Sequence, residues 1–144
     1  MINKDITVKH QVVAEWQDGI DFIATQQSQQ IQLASPESVR AQPGVSPKQL
    51  LLTALAGCTG MDVASLLTKM RVPYTSLAIR VSGELTEEHP KVYSHIHVVY
   101  EVGTTQEYAE KVERSVELSV TRYCGVSAML AKAANITHEI VYQS

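Results

Sequence analysis

The most constraining feature of the sequence is a helical segment that is apolar on every face. Residues 50–57 read Leu-Leu-Leu-Thr-Ala-Leu-Ala-Gly, whereas a surface helix shows one apolar stripe and one polar face. Ser46 and Pro47 place a capping hydroxyl and a proline at the start of the segment, and Arg-Val-Pro at 71–73 stops it. We therefore predict a central helix over residues 47–70 that other parts of the structure cover on several sides.

Strands are predicted on both sides of this helix. From Ile6 to Trp16 apolar and polar residues alternate, which is typical of a half-buried strand, and Asp-Gly at 18–19 predicts a hairpin turn. The predicted ranges are an N-terminal β-meander at 5–34, the helix at 47–70, a β-hairpin at 76–102, helices at 105–134 and a closing strand at 136–142. This order contains no repeat, and it favours an α+β fold in a single domain over alternating βαβ units.

The composition limits the kinds of partner. The chain has 144 residues, enough for one domain with a core, and a formal net charge of -3 at pH 7. Acidic and basic residues are mixed along the chain without a basic stripe, so we expect no nucleic-acid partner. No apolar run resembles a signal sequence or approaches the roughly 18 residues of a spanning helix, so we expect a soluble, cytoplasmic protein without membrane contact.

The central helix carries Cys58, one of two cysteines, and the other is Cys124. Cytosolic disulfides are usually transient and catalytic or redox-sensing, so the pair indicates redox chemistry. Cys58 lies about 18 Å from the predicted helix start, beyond the reach of the helix dipole, and the carboxylate of Asp62 one turn later opposes a thiolate. Its reactivity therefore requires a cation from elsewhere in the fold. Gly57 and Gly60 indicate close helix packing or open space, and the alternative role of Cys58 is a small packed residue.

Cys124 is predicted to lie near the start of the last short helix, where the positive end of the helix dipole favours a thiolate. By local sequence it is the better activated cysteine, with a residue packed under a loop as the alternative. The cysteines form no C-x-x-C pair and no further soft ligand accompanies them along the chain, so no zinc site is predicted. His95 and His97 share a face of a predicted strand and could chelate a metal, but we expect that face to be solvated. We predict no metal and no cofactor.

Two motifs around the cysteines resemble those of the OsmC/Ohr family. They read Ser-Pro-Lys-Gln-Leu-Leu-Leu-Thr-Ala-Leu-Ala-Gly-Cys-Thr-Gly-Met-Asp-Val at 46–63 and Tyr-Cys-Gly-Val-Ser at 123–127, and the first is similar to the YhfA-type branch. The resemblance implies an OsmC-like fold, in which antiparallel sheets pack around long central helices in an intertwined homodimer. It also implies thiol-dependent reduction of organic hydroperoxides, with Cys58 as the attacking cysteine and Cys124 as the resolving one.

One position departs from the family pattern. Peroxidases of the family carry a glutamate ten residues before the attacking cysteine, paired with an arginine that activates the thiol, whereas this chain has Lys48 there. Lys48 is itself a cation, but in a continuous helix it lies about 15 Å from Cys58, so contact requires a dimer or a loop. Arg40, in the proline-rich loop before the helix, and Arg122, next to Cys124, are the other candidates.

Three functions remain open for this sequence. The first is a dimeric thiol peroxidase that takes a small apolar hydroperoxide beside Leu51, Leu55 and Met61 and depends on a dithiol reductant. The second is an OsmC-like binding or redox-sensing protein with little peroxidase turnover, which Lys48 favours. In the third the cysteines only pack the core, which requires the two thiols to lie beyond bridging range.

Overall fold

The computed structural model describes residues 8–35 and 44–143. The beginning of the predicted first strand, including Ile6, and the candidate cation Arg40 lie outside these ranges. By contacts between residues the chain forms two compact units, Met1–Leu50 and Leu51–Ser144. The single domain inferred from chain length stays a prediction.

The first unit contains the meander. Three antiparallel strands, β1 (Val13–Asp18), β2 (Asp21–Gln26) and β3 (Gln29–Leu33), lie in the order β1-β2-β3. Gly19 adopts a φ of 57° between the first two strands, a conformation that glycine reaches without strain, and its carbonyl accepts a 3.0 Å hydrogen bond from Trp16 Nε1.

The first strand differs from its prediction in length and burial. It begins at Val13, because β2 turns away after Gln26 and leaves residues 8–12 without a partner strand in the described part of the unit. All six residues of β1 are exposed, Trp16 to 63%, so the alternating pattern does not mark a half-buried strand within this unit.

The second unit is built on one long helix and a three-stranded sheet. Helix α1 spans Gln49–Lys69 and ends where Arg71 adopts a φ of 58° and the Val72 N–H donates to the Leu67 carbonyl at 2.9 Å. The strands β4 (Ser76–Leu85), β5 (Tyr93–Gly103) and β6 (Asn135–Tyr142) lie in the order β4-β5-β6.

This sheet is mixed, which corrects the expectation of purely antiparallel sheets. The hairpin strands β4 and β5 pair antiparallel, but β5 and β6 pair parallel, with His97 opposite Thr137. A parallel pair needs a long crossover, and the helical segment between Gly103 and Asn135 provides it.

One stripe of α1 packs on this sheet. Its buried members recur every four residues: Leu55, Thr59, Val63 and Leu67. The three apolar members share a core cluster with alternate residues of β5, namely Ile96, Val98, Tyr100 and Val102, and Thr59 is within hydrogen-bond distance of Tyr100. A Cβ on Gly60 would lie 3.1 Å from Ile79 Cγ1, so the absence of a side chain lets the helix approach β4 closely.

Another part of α1 is left exposed by the described residues. Leu51 is 46% exposed and Met61 76%, whereas the sequence predicted cover on several sides. By length and composition α1 is also apolar enough to cross a membrane, a criterion that the core helix of a soluble protein meets as well. The expectation that no apolar run approaches this length is therefore wrong for α1.

The helical region after β5 is interrupted. It contains a 3-10 turn (Gln106–Tyr108), helix α2 (Ala109–Leu118), a π-helical turn (Ser119–Tyr123) and helix α3 (Gly125–Leu130). The Cys124 N–H donates to the Ser119 carbonyl at 2.8 Å, and the extended backbone of Cys124 (φ -78°, ψ 99°) separates the π turn from α3. Within residues 44–143 only α1 is long, so a second long central helix is not found.

Candidate thiol site

The two cysteines lie in different helical environments. Cys58 is half-buried and precedes Thr59, a member of the buried stripe of α1. A Cβ placed on Gly57 would have nothing within 4 Å, so Gly57 leaves open space beside Cys58. Gly60 instead lets the helix pack closely on the sheet. Cys124 is 3% exposed and caps α3, where its Sγ accepts a 3.3 Å hydrogen bond from the Ser127 N–H.

The fold brings both thiols next to a carboxylate. The Sγ atoms of Cys58 and Cys124 and a carboxylate oxygen of Asp62 all lie within 4.8 Å of one another. Both cysteines are free thiols, and the nearby Cys58 raises the pKa of Cys124. A purely structural role for the cysteines was expected to keep the two sulfur atoms far apart. The structure instead places them close together.

Burial raises the pKa of Cys124 from its ordinary value of 9.0 to about 11. The Ser127 N–H opposes this rise, while Cys58 and the negative charge of Asp62 add to it. Burial therefore opposes the activation of Cys124 that its place at a helix start had predicted. Its position at the start of α3 is as predicted, but desolvation outweighs the hydrogen bond that this position supplies.

A chain of hydroxyl groups holds Asp62. Ser119 Oγ donates to Asp62 Oδ2 at 2.9 Å, Thr59 Oγ1 lies 2.8 Å from Ser119 Oγ, and the Tyr100 hydroxyl lies 2.7 Å from Thr59 Oγ1. Each hydroxyl has one proton, so Ser119, which gives its proton to Asp62, must accept from Thr59, and Thr59 must accept from Tyr100. Each hydroxyl therefore donates its proton towards the next group in the series, which ends at the Asp62 carboxylate.

Sequence reasoning missed the three hydroxyl residues of this chain. The available signal was polar residues within apolar patterns: Thr59 between the apolar neighbours of α1, and Ser119 beside the valine face of α2. Tyr100 is fully buried, and burial raises the pKa of its phenol although the hydrogen bond to Thr59 opposes the rise. Only the folded structure shows that the three groups meet.

The candidate cations have different positions. The Arg122 guanidinium lies over the Tyr123 ring, 5.5 Å from its centroid, and both side chains are exposed. Lys48 is half-buried in the turn that precedes α1. Among the described residues, the groups that shift the pKa of Cys124 include no cation.

Two concavities lie near residues of the hydroxyl chain or of the thiol site. A cavity of about 270 Å³ is lined by Leu55, Thr59, Tyr100, Ser127 and His138, among others, but by neither cysteine. A surface depression of about 300 Å³ is lined by Asp62, Ser65, Leu66, Lys69 and Tyr123. Of the residues expected to line a substrate pocket, Leu55 borders the cavity, while Leu51 and Met61 are exposed on α1.

The two strand histidines bond to β6. His97 Nδ1 lies 2.7 Å from Thr137 Oγ1 and His97 Nε2 lies 3.1 Å from Glu139 Oε1, so both ring nitrogens have partners. His95 Nε2 lies 3.3 Å from the same threonine hydroxyl. These side chains connect two parallel strands across an outer face of the sheet.

Residues 40–139 match the model of a protein family described as OsmC-like protein. The chain belongs to the OsmC family. The family inferred from the motifs at 46–63 and 123–127 is thereby confirmed, and the α+β architecture with its two small sheets agrees with that of OsmC-like structures.

Known OsmC relatives cover most of this chain. Protein YhfA of Escherichia coli is 34% identical over 128 residues, which are 89% of this chain and 94% of YhfA. The crystal structure of an OsmC-like protein from Mycoplasma pneumoniae has a TM-score of 0.80 at 15% identity, over 96% of this chain and 100% of the other. The organic hydroperoxide resistance protein OhrB of Bacillus subtilis has a TM-score of 0.65 at 17% identity, over 92% and 98% of the two chains.

Proposed function

We propose that this OsmC-family protein reduces organic hydroperoxides with its two thiols, Cys58 attacking and Cys124 resolving. The observation that carries the proposal is the proximity of the two free thiols, whose Sγ atoms lie within 4.8 Å of each other. The fold is shared with a protein named for organic hydroperoxide resistance. The cavity of about 270 Å³ has Leu55, Val98 and Ile136 in its lining, and such apolar residues favour an alkyl group over water.

The reaction balances with these two thiols alone. The Cys58 thiolate attacks the distal peroxide oxygen, the O–O bond breaks, and the alkoxide takes a proton and leaves as an alcohol. The sulfenic acid on Cys58 then condenses with the Cys124 thiol, which forms the disulfide and releases water. A dithiol reductant restores both thiols by exchange. Cys124 can stay protonated until this second step because its proton leaves with the water.

Burial supports this order of the two cysteines. Cys58 is half-buried and Cys124 is 3% exposed, so a peroxide reaches Cys58 more readily. Thiolate is the nucleophile, and the pKa of about 11 makes Cys124 a poor attacking group at neutral pH. In the resolving step Cys124 attacks the sulfenic sulfur of an adjacent Cys58, and its proton leaves with the hydroxide as water.

Activation of Cys58 requires a positive charge, since Asp62 places a negative one within 4.8 Å of it. We assign this charge to Lys48 or to Arg40, with Arg122 as the third candidate. Glutamine at each position in turn, Lys48→Gln, Arg40→Gln and Arg122→Gln, tests the assignment. Loss of peroxide-dependent sulfenic acid formation in one variant, with the other two unchanged, identifies the cation.

A homodimer is part of this proposal. Its support is the apolar surface that α1 leaves exposed, including Leu51 and Met61, since contiguous apolar surface of a soluble chain usually marks an interface. We propose that a second copy covers it, in the cytoplasm. Light scattering of the purified protein measures its oligomeric state. The Met61→Glu substitution should shift this state towards the monomer.

A second function is favoured by a specific observation. The charge of Asp62 beside the thiols and the raised pKa of Cys124 both oppose thiolate formation. A protein of this kind binds a ligand or senses oxidants stoichiometrically but turns over peroxide slowly. Single-turnover oxidation without multiple turnover in the presence of excess dithiol would favour this alternative.

The test of the proposed function is oxidation by cumene hydroperoxide. Intact mass and free thiols are measured for the wild type, Cys58→Ser and Cys124→Ser. We expect the wild type to lose two thiols and two mass units per chain, and Cys124→Ser to hold a trappable sulfenic acid on Cys58. A wild type that keeps both thiols at modest peroxide excess would overturn the proposal, and sulfenic acid on Cys124 in Cys58→Ser would reverse the order.

A further inference from the structure

We propose that Cys58, Asp62 and Cys124 form a binding site for a thiophilic divalent cation of the zinc class. One ligand atom of each residue lies within 4.8 Å of the other two. Thiolate and carboxylate are donors that Zn²⁺ accepts, and their bonds to it are about 2.3 Å and 2.0–2.2 Å long, so a shared ion fits between such atoms after small side-chain movements. The site goes beyond the proposed peroxidase function, which needs no metal.

Two different structural elements assemble the ligand set. Cys58 and Asp62 are four residues apart on α1 and therefore lie on the same side of the helix. Cys124 directly follows the π-helical turn, whose Ser119 donates a hydrogen bond to Asp62 of α1. No zinc pattern is recognisable along the chain because the third ligand is distant from the other two. Three protein ligands leave one position of a tetrahedral site for water or an external ligand.

The ligands are oriented by a second layer of hydrogen bonds. Ser119 Oγ donates to Asp62 Oδ2 at 2.9 Å, and the Ser127 N–H donates to Cys124 Sγ at 3.3 Å. Both bonds favour the negatively charged ligand forms that a metal requires. Such partners fix the direction of a ligating group before the ion arrives.

Binding leaves the net charge of the partly buried site unchanged when both thiols are protonated beforehand. Two protonated thiols and one carboxylate then carry a charge of -1. A divalent ion adds two positive charges, and the two thiol protons that it displaces remove two, so the complex also carries -1. No additional charge is therefore buried, which is the usual obstacle to a site of this kind.

A route from the surface reaches one ligand. Asp62 lines the depression of about 300 Å³, together with Ser65, Leu66, Lys69 and Tyr123. An ion can therefore meet the carboxylate first and then displace the thiol protons behind it. Occupation of the site holds both thiols and prevents them from forming a disulfide.

The experiment is a titration of the reduced chain with Cd²⁺, in a buffer without thiols or chelators. Absorption from sulfur-to-cadmium charge transfer in the ultraviolet and calorimetry measure ligation and stoichiometry. We expect one Cd²⁺ per chain with charge-transfer absorption in the wild type, and loss of this absorption in Cys58→Ser and Cys124→Ser. Ser119→Ala keeps every ligand, and we expect it to bind about 10- to 100-fold more weakly.

His97→Gln is the control, because His97 Nε2 lies 3.1 Å from Glu139 Oε1 and this pair could hold a cation away from the thiols. We expect the same Cd²⁺ affinity as in the wild type. Circular dichroism shows that each variant is folded. Absence of charge-transfer absorption in the wild type, or its survival in both cysteine variants, would overturn the proposal. The peroxide test uses chelator-treated protein, so failure of the peroxidase and failure of the metal site give separate results.

Discussion

Ser119 donates a 2.9 Å hydrogen bond to the Asp62 carboxylate across 57 positions of sequence. Because Ser119 in turn accepts from Thr59, the serine connects the π-helical turn to two positions of α1. The carboxylate beside the thiols is thus held by a neutral donor, which keeps its negative charge in place without cancelling it. The stability of the site should therefore depend on hydroxyl groups that carry no charge.

We expect Ser119→Ala to destabilise the fold by about 1–3 kcal/mol, because it leaves a buried Thr59 hydroxyl and a half-buried carboxylate each short of a partner. Urea unfolding followed by circular dichroism measures the change. Thr121→Ala is the control in the same turn, since its exposed hydroxyl bonds only to the Glu117 carbonyl, and it should stay within about 0.5 kcal/mol of the wild type. Equal losses in the two variants would contradict the special role of Ser119.

Tyr100→Phe should lower the free energy of unfolding by about 1 kcal/mol, because it removes the first donor of the hydroxyl chain while keeping the buried ring. Combined with Ser119→Ala in a double-mutant cycle, it should show a coupling of at least about 0.5 kcal/mol, as expected for residues of one hydrogen-bond network. Urea unfolding of the four proteins gives the cycle. Strict additivity would mean that the hydroxyls act independently.

The two glycines beside Cys58 should respond differently to alanine. Gly57→Ala meets nothing within 4 Å and should stabilise α1 by about 1 kcal/mol through helix propensity. Gly60→Ala places its Cβ 3.1 Å from Ile79 Cγ1, and Ile79 must move to make room. The same gain in stability from helix propensity should therefore be reduced or reversed at this position. Thermal unfolding of the pair compares them directly, and equal shifts would contradict the close approach of α1 to β4.

Alkylation of Cys124 should require alkaline pH. In Cys58→Ser it is the sole thiol, and its folded-state pKa lies above the ordinary 9.0 because burial disfavours the thiolate. The iodoacetamide rate should therefore keep rising beyond the pH at which the same variant, unfolded in urea, reaches its plateau. Coincident folded and unfolded profiles would show that burial leaves the thiol unperturbed.

The same shift predicts a loss of stability at high pH. The folded chain retains the Cys124 proton between pH 9.0 and about 11, where the unfolded chain has lost it. The contribution of the buried thiol is therefore complete below pH 9.0 and decreases as the pH rises towards 11. The unfolding free energy of the wild type should fall more steeply over this interval than that of Cys124→Ser.

Local patterns predicted the elements that local forces decide. The proline and serine before α1, the stop after Lys69 and the Asp-Gly turn before β2 are encoded within a few residues of where they act. The same holds for the position of Cys124 at the start of α3. The motifs around both cysteines were sufficient to identify the family.

Properties that depend on contacts between distant residues could not be predicted from local sequence patterns. The pKa of Cys124 follows from burial beneath other elements, and the helix start that favoured a thiolate has a smaller effect than that burial. The parallel pairing of β6 and the hydroxyl chain through Thr59 and Tyr100 join positions about 40 residues apart. Neither periodicity nor spacing reports which polar residues meet inside a core.

The parallel pairing of β5 with β6 also sets an order of events during synthesis. The segment 104–134 must emerge from the ribosome before β6 can cover the second edge of β5, whereas β4 can pair as soon as its hairpin is complete. Until then β5 presents unpaired N–H and carbonyl groups next to buried-type residues such as Val98, the kind of edge on which strands of other chains assemble. A nascent chain arrested before residue 135 is therefore the form of this protein that we expect to need a chaperone.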